Sequence, residues 1–352
     1  MSQPRKRMRP VLMLLFVLSA LVAGGVSYWA VTQYLGFADA PIAGLEAGDS
    51  IVVEPGDSFA KVLGKLDDVG VPDGQALQWQ ALARHLGVAG KLQVGEYTLD
   101  PGTTPRLLLL RMRDGKVVSH RFTIVEGWNI RELRAALARA QPLQQEGAQL
   151  DDVALMQTLG HAGQHPEGRF LPETYHYTRG DSDMDLLARA HEAMELALDD
   201  AWQARAADLP LQSKEAALIL ASIVEKETGV ASERAQIAGV FIRRLQLGMR
   251  LQTDPTVIYG MGTRYAGNIR KSDLLADTPY NTYTRSGLPP TPIAMPGVDA
   301  LRAATRPAEG DALFFVAVGD GSGSHVFTRT LGEHQAAVRE YLQRYRRQRQ
   351  QQ

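Results

Sequence analysis

The run from Val11 to Val31 confines this chain more than any other feature, because it holds about twenty residues without a charge. Lipid offers no water to backbone N–H and C=O groups, so a segment of this length crosses a bilayer as a helix that satisfies them internally. Arg5, Lys6, Arg7 and Arg9 precede the run, and no basic residue follows it before Lys61. The positive-inside rule then puts the N-terminus in the cytoplasm. Tyr28, Trp29 and Tyr34 fall where an interfacial aromatic belt is expected. A cleaved signal peptide competes with this reading, since Ala38-Asp39-Ala40 offers a small-residue cleavage site. The run exceeds the roughly 7 to 15 residues of a usual signal core, which favours an uncleaved anchor. Either way the rest of the chain lies outside the cytoplasm.

Bulk composition excludes several classes of function. The 352 residues have room for about two domains. Lys and Arg total 38 against 39 for Asp and Glu, so no broad basic surface for nucleic acid is implied. Basic residues concentrate only at the ends, Arg5 to Arg9 and Arg344 to Arg349. With no cysteine, disulfides, thiolate catalysis, Cys-ligated zinc and a lipoprotein anchor are ruled out. The 8 histidines are scattered. His161 and His165 have helical spacing, but Gly160, Gly163 and Pro166 break the helix and no Glu follows His161. The stretch Gly321 to His325 does not place a serine at a strand-to-helix turn, as a nucleophile elbow requires. No metal or other cofactor is expected.

Patterning divides the chain into an anchor over 11–34 behind a short cytoplasmic segment 1–10, a linker 35–50, a small module 51–118, a larger domain 119–345 and a basic tail 346–352. The small module opens on a strand at Ile51 to Val53, and a Pro55-Gly56-Asp57-Ser58 turn leads into a helix capped by Asp57 or Ser58. Helices follow at Gln75–Leu86 and Thr104–Arg113, with strands at Gly95–Leu99 and Lys116–Ile124. This order resembles the LysM-type carbohydrate-binding module. The larger domain reads as mainly helical, over 130–140, 151–159, 183–207, 213–228 and 232–247, with Arg243 and Arg244 facing outward. A short turn or helix follows at 256–259, then strands at 312–318 and 325–327 and a last helix over 333–346. The fold class is α+β.

Within the helix 213–228, the segment Leu220 to Thr228 drives a carboxylate into an apolar face. Ala216, Leu220, Ile223, Val224 and Glu227 share one stripe at 3.6-residue periodicity. A carboxyl desolvated by aliphatic neighbours has its charged form disfavoured, so Glu227 can hold a proton near neutral pH and act as a general acid. Glu225 points to nearly the opposite side and is less suited to that role. The competing reading is a structural glutamate paired with an Arg or a backbone donor.

Several blocks resemble the endolytic murein transglycosylases of the YceG-like family. They are LASIVEKET at 220–228, RLQLGMRLQTDPTVIYGMG at 244–262, TPYNTYTRSGLPPTPIAMPG at 278–297 and LFFVAVGDGSGSHVFT at 313–328. Val125-Glu126-Gly127, Glu167-Gly168 and the segment Phe170 to Tyr175 fit the same pattern. The resemblance implies a single-pass inner-membrane protein whose periplasmic domain cuts nascent peptidoglycan strands between N-acetylmuramic acid and N-acetylglucosamine, leaving 1,6-anhydro ends. It also implies coupling to peptidoglycan synthases. The family's catalytic glutamate falls on Glu227. Gln252 and Asp254 are then candidates to orient the sugar, although Asp before Pro is equally an ordinary helix start. Tyr280, Asn281 and Tyr283 offer ring faces and amides for a saccharide groove, and His325 is a further candidate near the site. Glu173 stands where the family more often has Asp. Two other readings stay open: a hydrolytic muramidase with Asp254 or Glu173 as base, and a noncatalytic cell-wall scaffold in which Glu227 is structural.

Overall fold

A computed structural model describes residues 8–71, 76–88 and 90–351. Arg5, Lys6 and Arg7 of the basic flank lie outside the described residues, as do Gln75 and Gln352. The chain divides into two compact units, residues 1–120 with 178–180, and 121–177 with 181–352.

The first unit begins with α1 (Met8–Asp39), of which Leu12–Asp39 is long and apolar enough to cross a membrane. The stretch read as a linker is partly packed. Helix α1 continues to Asp39, and Phe37, Ala38 and Ile42 are buried, with the Phe37 ring edge-on to Trp79 at 5.4 Å. An apolar Phe-Ala pair at the end of the helix joins the small core because leaving it in water forfeits the hydrophobic gain. Strand β1 (Ser50–Val53) pairs antiparallel with β2 (Gly95–Thr98) in the register Ser50↔Thr98 to Val53↔Gly95. The period of two turns Ile51, Val53 and Tyr97 inward. Between and after these strands lie α2 (Phe59–Asp68), α3 (Ala76–His85) and α4 (Pro105–Arg113). Ser58 caps α2 by accepting the Lys61 N–H, and Thr104 caps α4 with Pro105 as its first residue.

The second unit opens with β3 (His120–Thr123), shorter than the strand read from 116 to 124 and bonded to β4 (Thr174–Tyr177), which the sequence reading did not foresee. Helices α5 (Ile130–Leu137), α6 (Asp152–Thr158) and the first half of α7 (Asp183–Gln203) enclose a core of Leu133, Leu155, Phe170, Leu187 and Ala190. A neighbouring core is built on α8 (Lys214–Glu227), whose residues Ala217 to Val224 are all buried. Packed around α8 are α7, α9 (Arg234–Gln246), α10 (Asp254–Met261) and α12 (Val298–Thr305), while α11 (Lys271–Leu275) follows α10 on the surface. Helices α11 and α12 were not read from the sequence. Strands β5 (Phe314–Ala317) and β6 (His325–Thr328) form an antiparallel hairpin. Helix α13 (Leu331–Gln351) is the last element and includes Arg346 and Arg347.

Candidate active site around Glu227

Helix α8 ends on Glu227, the last helical residue before the extended Thr228. The helix delivers the carboxyl to the start of α10, where Thr253 donates its hydroxyl to Glu227 Oε1. Burial pushes the Glu227 carboxyl up to about 7; the Thr253 hydroxyl opposes that shift, and the nearby Asp254 charge reinforces it. As a whole residue Glu227 is half-buried. Glu227 is therefore a carboxyl that keeps a substantial protonated fraction at neutral pH, at the end of α8.

Thr253 is itself fixed by a small hydroxyl network. Its backbone N–H donates to Thr282 Oγ1 at 3.1 Å, and Thr256 Oγ1 donates to the Thr253 carbonyl at 2.8 Å. Thr256 has spent its only proton there, so in the 2.9 Å contact between Thr256 and Thr282 the Thr282 hydroxyl must be the donor. All three threonines are buried. The preceding Gln252 is exposed and adopts φ 50, a left-handed conformation that costs a non-glycine residue about 1–2 kcal/mol. Its N–H donates to the Thr282 carbonyl at 3.1 Å, which holds the unfavourable turn in place.

The buried guanidinium of Arg244 supports the same turn from below. It donates to the carbonyls of Leu251 at 2.8 Å, Arg250 at 3.2 Å and Leu313 at 2.7 Å, and lies over the Phe314 ring at 5.0 Å. The expectation of an outward Arg243-Arg244 pair is therefore corrected. Arg243 is half-buried and bonds the carbonyls of Ala312 and Ala308, because the hairpin β5–β6 covers this face of α9.

The candidate binding residues separate into two groups. Asp254 is exposed at the start of α10 and accepts the Tyr283 hydroxyl at 2.6 Å, so Gln252, Asp254 and Tyr283 gather beside Glu227. Tyr280 is half-buried, bonded to Thr291 at 2.9 Å and edge-on to Tyr259 at 4.8 Å. Asn281 is only 1% exposed. Its amide NH2 donates to the carbonyls of Leu274 and Ala276 at 3.0 and 2.7 Å, and its oxygen accepts the Tyr283 N–H at 2.9 Å. Both amide protons are thus committed within the protein, and the side chain braces this loop. His325 bonds Glu233 through its N–H at 2.9 Å and its Nδ1 at 2.8 Å, so the structure ties it to the turn before α9 and not to the Glu227 cluster. Glu173 is exposed at the edge of β4.

Glu225 is deeply buried, its side chain 5% exposed. It accepts the Gly297 N–H at the start of α12 at 2.9 Å and faces Arg234 at 3.4 Å. Burial raises its pKa, while the Gly297 bond opposes the rise. The two glutamates thus face different elements, and Glu225 is a strut between α8 and α12.

A second buried carboxyl, Glu167, was passed over as a functional candidate in the sequence. It is fully buried, accepts the Ile130 N–H at 3.1 Å and the Tyr259 hydroxyl at 2.9 Å, and burial pushes it up to about 7. Its turn needs the adjacent glycine. Gly168 has φ 79, and a Cβ there would lie 2.6 Å from the Pro292 side chain. Tyr259 carries this network to the wall of an open cleft of about 570 Å³, formed by the start of α5, Lys226, α10 and Ile293. Lys226, which precedes Glu227 on α8, and Pro255, which follows Asp254, line it; Glu227 itself does not. A larger cleft of about 870 Å³ lies between α7 and α12, lined by Arg302 and Arg306, and Glu227 lines neither cleft.

A mainly helical domain with a half-buried glutamate raised to about 7 at the end of α8 carries an acid–base candidate. The chain belongs to the YceG-like family, whose family model matches residues 51–340. It is 30% identical over 281 residues to the endolytic murein transglycosylase of Bacillus subtilis (strain 168), covering 75% of this chain and 77% of that protein. It is 32% identical over 157 residues to the endolytic murein transglycosylase of Streptococcus pneumoniae serotype 2, covering 43% of this chain and 28% of that protein. The crystal structure of a putative yceG-like protein from Listeria monocytogenes superposes with a TM-score of 0.51 at 27% identity, covering 82% of this chain and 98% of the other.

Proposed function

We propose that this chain is an endolytic peptidoglycan transglycosylase with Glu227 as its single acid–base group. The observation that carries the reading is the Glu227 carboxyl, raised to about 7 by burial at the end of α8 in a residue that is half-buried as a whole. Relatives named endolytic murein transglycosylase support the same activity. In the forward step Glu227 gives its proton to the glycosidic oxygen as the bond from C1 of N-acetylmuramic acid breaks. The C6 hydroxyl of that sugar then attacks C1, and its proton returns to the Glu227 carboxylate. The ring closes as a 1,6-anhydro bond, no water is consumed, and the acid is regenerated. One carboxyl suffices because the nucleophile belongs to the substrate, unlike in hydrolases that need two carboxylates at a set separation. Gln252, Asp254 and Tyr283 would hold the sugar beside that acid, and Thr253 fixes the Oε1 atom so that Oε2 presents the proton.

The helix Leu12–Asp39 supports a single-pass inner-membrane anchor with the N-terminus cytoplasmic and the catalytic unit periplasmic. The strand–helix–helix–strand order over residues 50–98 supports a LysM-like, glycan-holding role for the first unit. In this setting the enzyme trims strands as peptidoglycan synthases extend them. Exposed Asp254 next to Glu227 is the one observation favouring hydrolysis instead, since a second carboxylate could activate water. Mass spectrometry of muropeptides released from uncrosslinked glycan separates the readings. Anhydro ends are the expected product; reducing ends would establish a hydrolase, and no cleavage would leave a scaffold.

A further inference from the structure

The cleft of about 570 Å³ lined by Lys226 and α10 falls within the usual range of about 300–1,000 Å³ for ligand sites. Its walls are apolar: Pro255, Ile258 and Tyr259 come from α10, and Ile293 from the opposite loop. Two cations open onto it. Lys226 is exposed and uses one N–H on the Gly127 carbonyl at 3.0 Å, leaving two donors for a ligand. Arg131 is exposed, 6.0 Å from the Tyr259 ring centroid, with no salt bridge of its own among the described residues. The acidic lining residue Glu132 accepts the Asn129 N–H at 2.8 Å, capping α5 and turning its carboxylate to the backbone. The floor is rigid, because Tyr259 is anchored on buried Glu167. The result is a cationic, apolar-walled recess two of whose lining residues, Lys226 and Pro255, are chain neighbours of Glu227 and Asp254.

We propose that this recess is a subsite for the acidic peptide carried by the sugar being cut, with Arg131 and Lys226 pairing its carboxylates. The inference rests on the glycan-cleaving reading of Glu227. In peptidoglycan the peptide hangs from the lactyl group on C3 of N-acetylmuramic acid, the same sugar whose C1 is attacked. A peptide on that sugar therefore emerges within one ring of the acid. Lys226 and Glu227 are successive residues of α8, and Pro255 follows Asp254, so two of the recess's lining residues are chain neighbours of the proposed site. Carboxylates of the peptide match the free cations, and its small aliphatic side chains match the Ile and Pro walls.

The test compares uncrosslinked glycan strands bearing intact peptides with the same strands stripped of peptide by an amidase, using the full chain in detergent. The wild type should show a kcat/KM about tenfold higher on peptide-bearing strands, the effect of two exposed ion pairs. The double variant Arg131→Ala, Lys226→Ala should bring that ratio below about twofold, and Arg131→Lys, Lys226→Arg should restore most of it. A second measurement needs no turnover: Glu227→Gln protein should bind peptide-bearing strands more tightly than stripped ones, by a margin that fades as salt is added. Equal cleavage of both strands by the wild type, or an unchanged ratio in the double variant, overturns the subsite while leaving the enzyme intact. Cleavage of neither strand overturns the enzymatic reading as well.

Discussion

At the residue scale, the site is a contest between burial and one hydroxyl. Burial drives Glu227 towards its neutral form, and Thr253 pulls it back by bonding the carboxylate. Hydrogen bonds to charged groups contribute about 1.5–3 kcal/mol, or about one to two pKa units. Thr253→Val should therefore move the alkaline limb of the pH–rate profile upward while lowering kcat through lost orientation; a limb that stays in place would show that Thr253 does not touch the working acid. Asn281→Ala belongs at this scale too. Removing a buried amide that satisfies several carbonyls should destabilise the protein by about 1–3 kcal/mol, read as a lower urea midpoint. A raised KM with unchanged stability would instead return Asn281 to the binding groove. Glu227 was legible in the sequence because helical phase and block similarity pointed to one residue. Thr253, Arg244 and Glu167 were not. Their importance comes from partners far along the chain, as in the bond from Tyr259 to Glu167 across 92 residues, and no local pattern encodes such a meeting.

At the element scale, α8 works because its neighbours are tied to both ends of the chemistry. Its buried Ser222 accepts the Ile293 N–H at 3.0 Å, and Glu225 accepts the Gly297 N–H, so α8 carries the loop that walls the cleft. Glu225→Gln keeps an acceptor for Gly297 but weakens the pairing with Arg234, so its effect should fall on stability more than on turnover. Equal loss of turnover from Glu225→Gln and Glu227→Gln would mean that the two faces of the helix were misassigned. The long helices were readable from caps and periodicity: Ser213 caps α8 and Ser182 forms a capping box on α7. Helix α12 escaped notice for a physical reason. It has only 8 residues, no side-chain cap and several alanines, and packing of Ala300, Leu301 and Ala304 against α8 stabilises it more than local propensity does. The end of α1 likewise gains tertiary ties, the Phe37 ring against Trp79 and Asp39 paired with Arg106 at 2.7 Å.

At the scale of the whole molecule, two carboxyls that titrate near 7 give folding a defined pH dependence. Glu167 is fully buried and raised, so the folded protein binds its proton more tightly than the unfolded chain does. Between an unfolded value near 4.5 and about 7 the native state holds more protons, and stability falls as pH rises through that window. The penalty is complete above about 7 and of order 3 kcal/mol for Glu167. Glu167→Gln should flatten the loss of melting temperature between acid and mildly alkaline pH; an unaltered slope would remove Glu167 from the account. Activity follows the same sign, since the acid is protonated below about 7 and turnover should decline as pH rises above it.

Everything converges on the proton held by Glu227, and the most direct measurement is the yield of anhydro-muropeptides from uncrosslinked glycan by Glu227→Gln protein, with circular dichroism as the check on folding. A loss of about 10²–10⁴-fold in a variant that folds like the wild type is the predicted result. Anhydro-product formation at a wild-type rate by that folded variant would contradict the assignment outright.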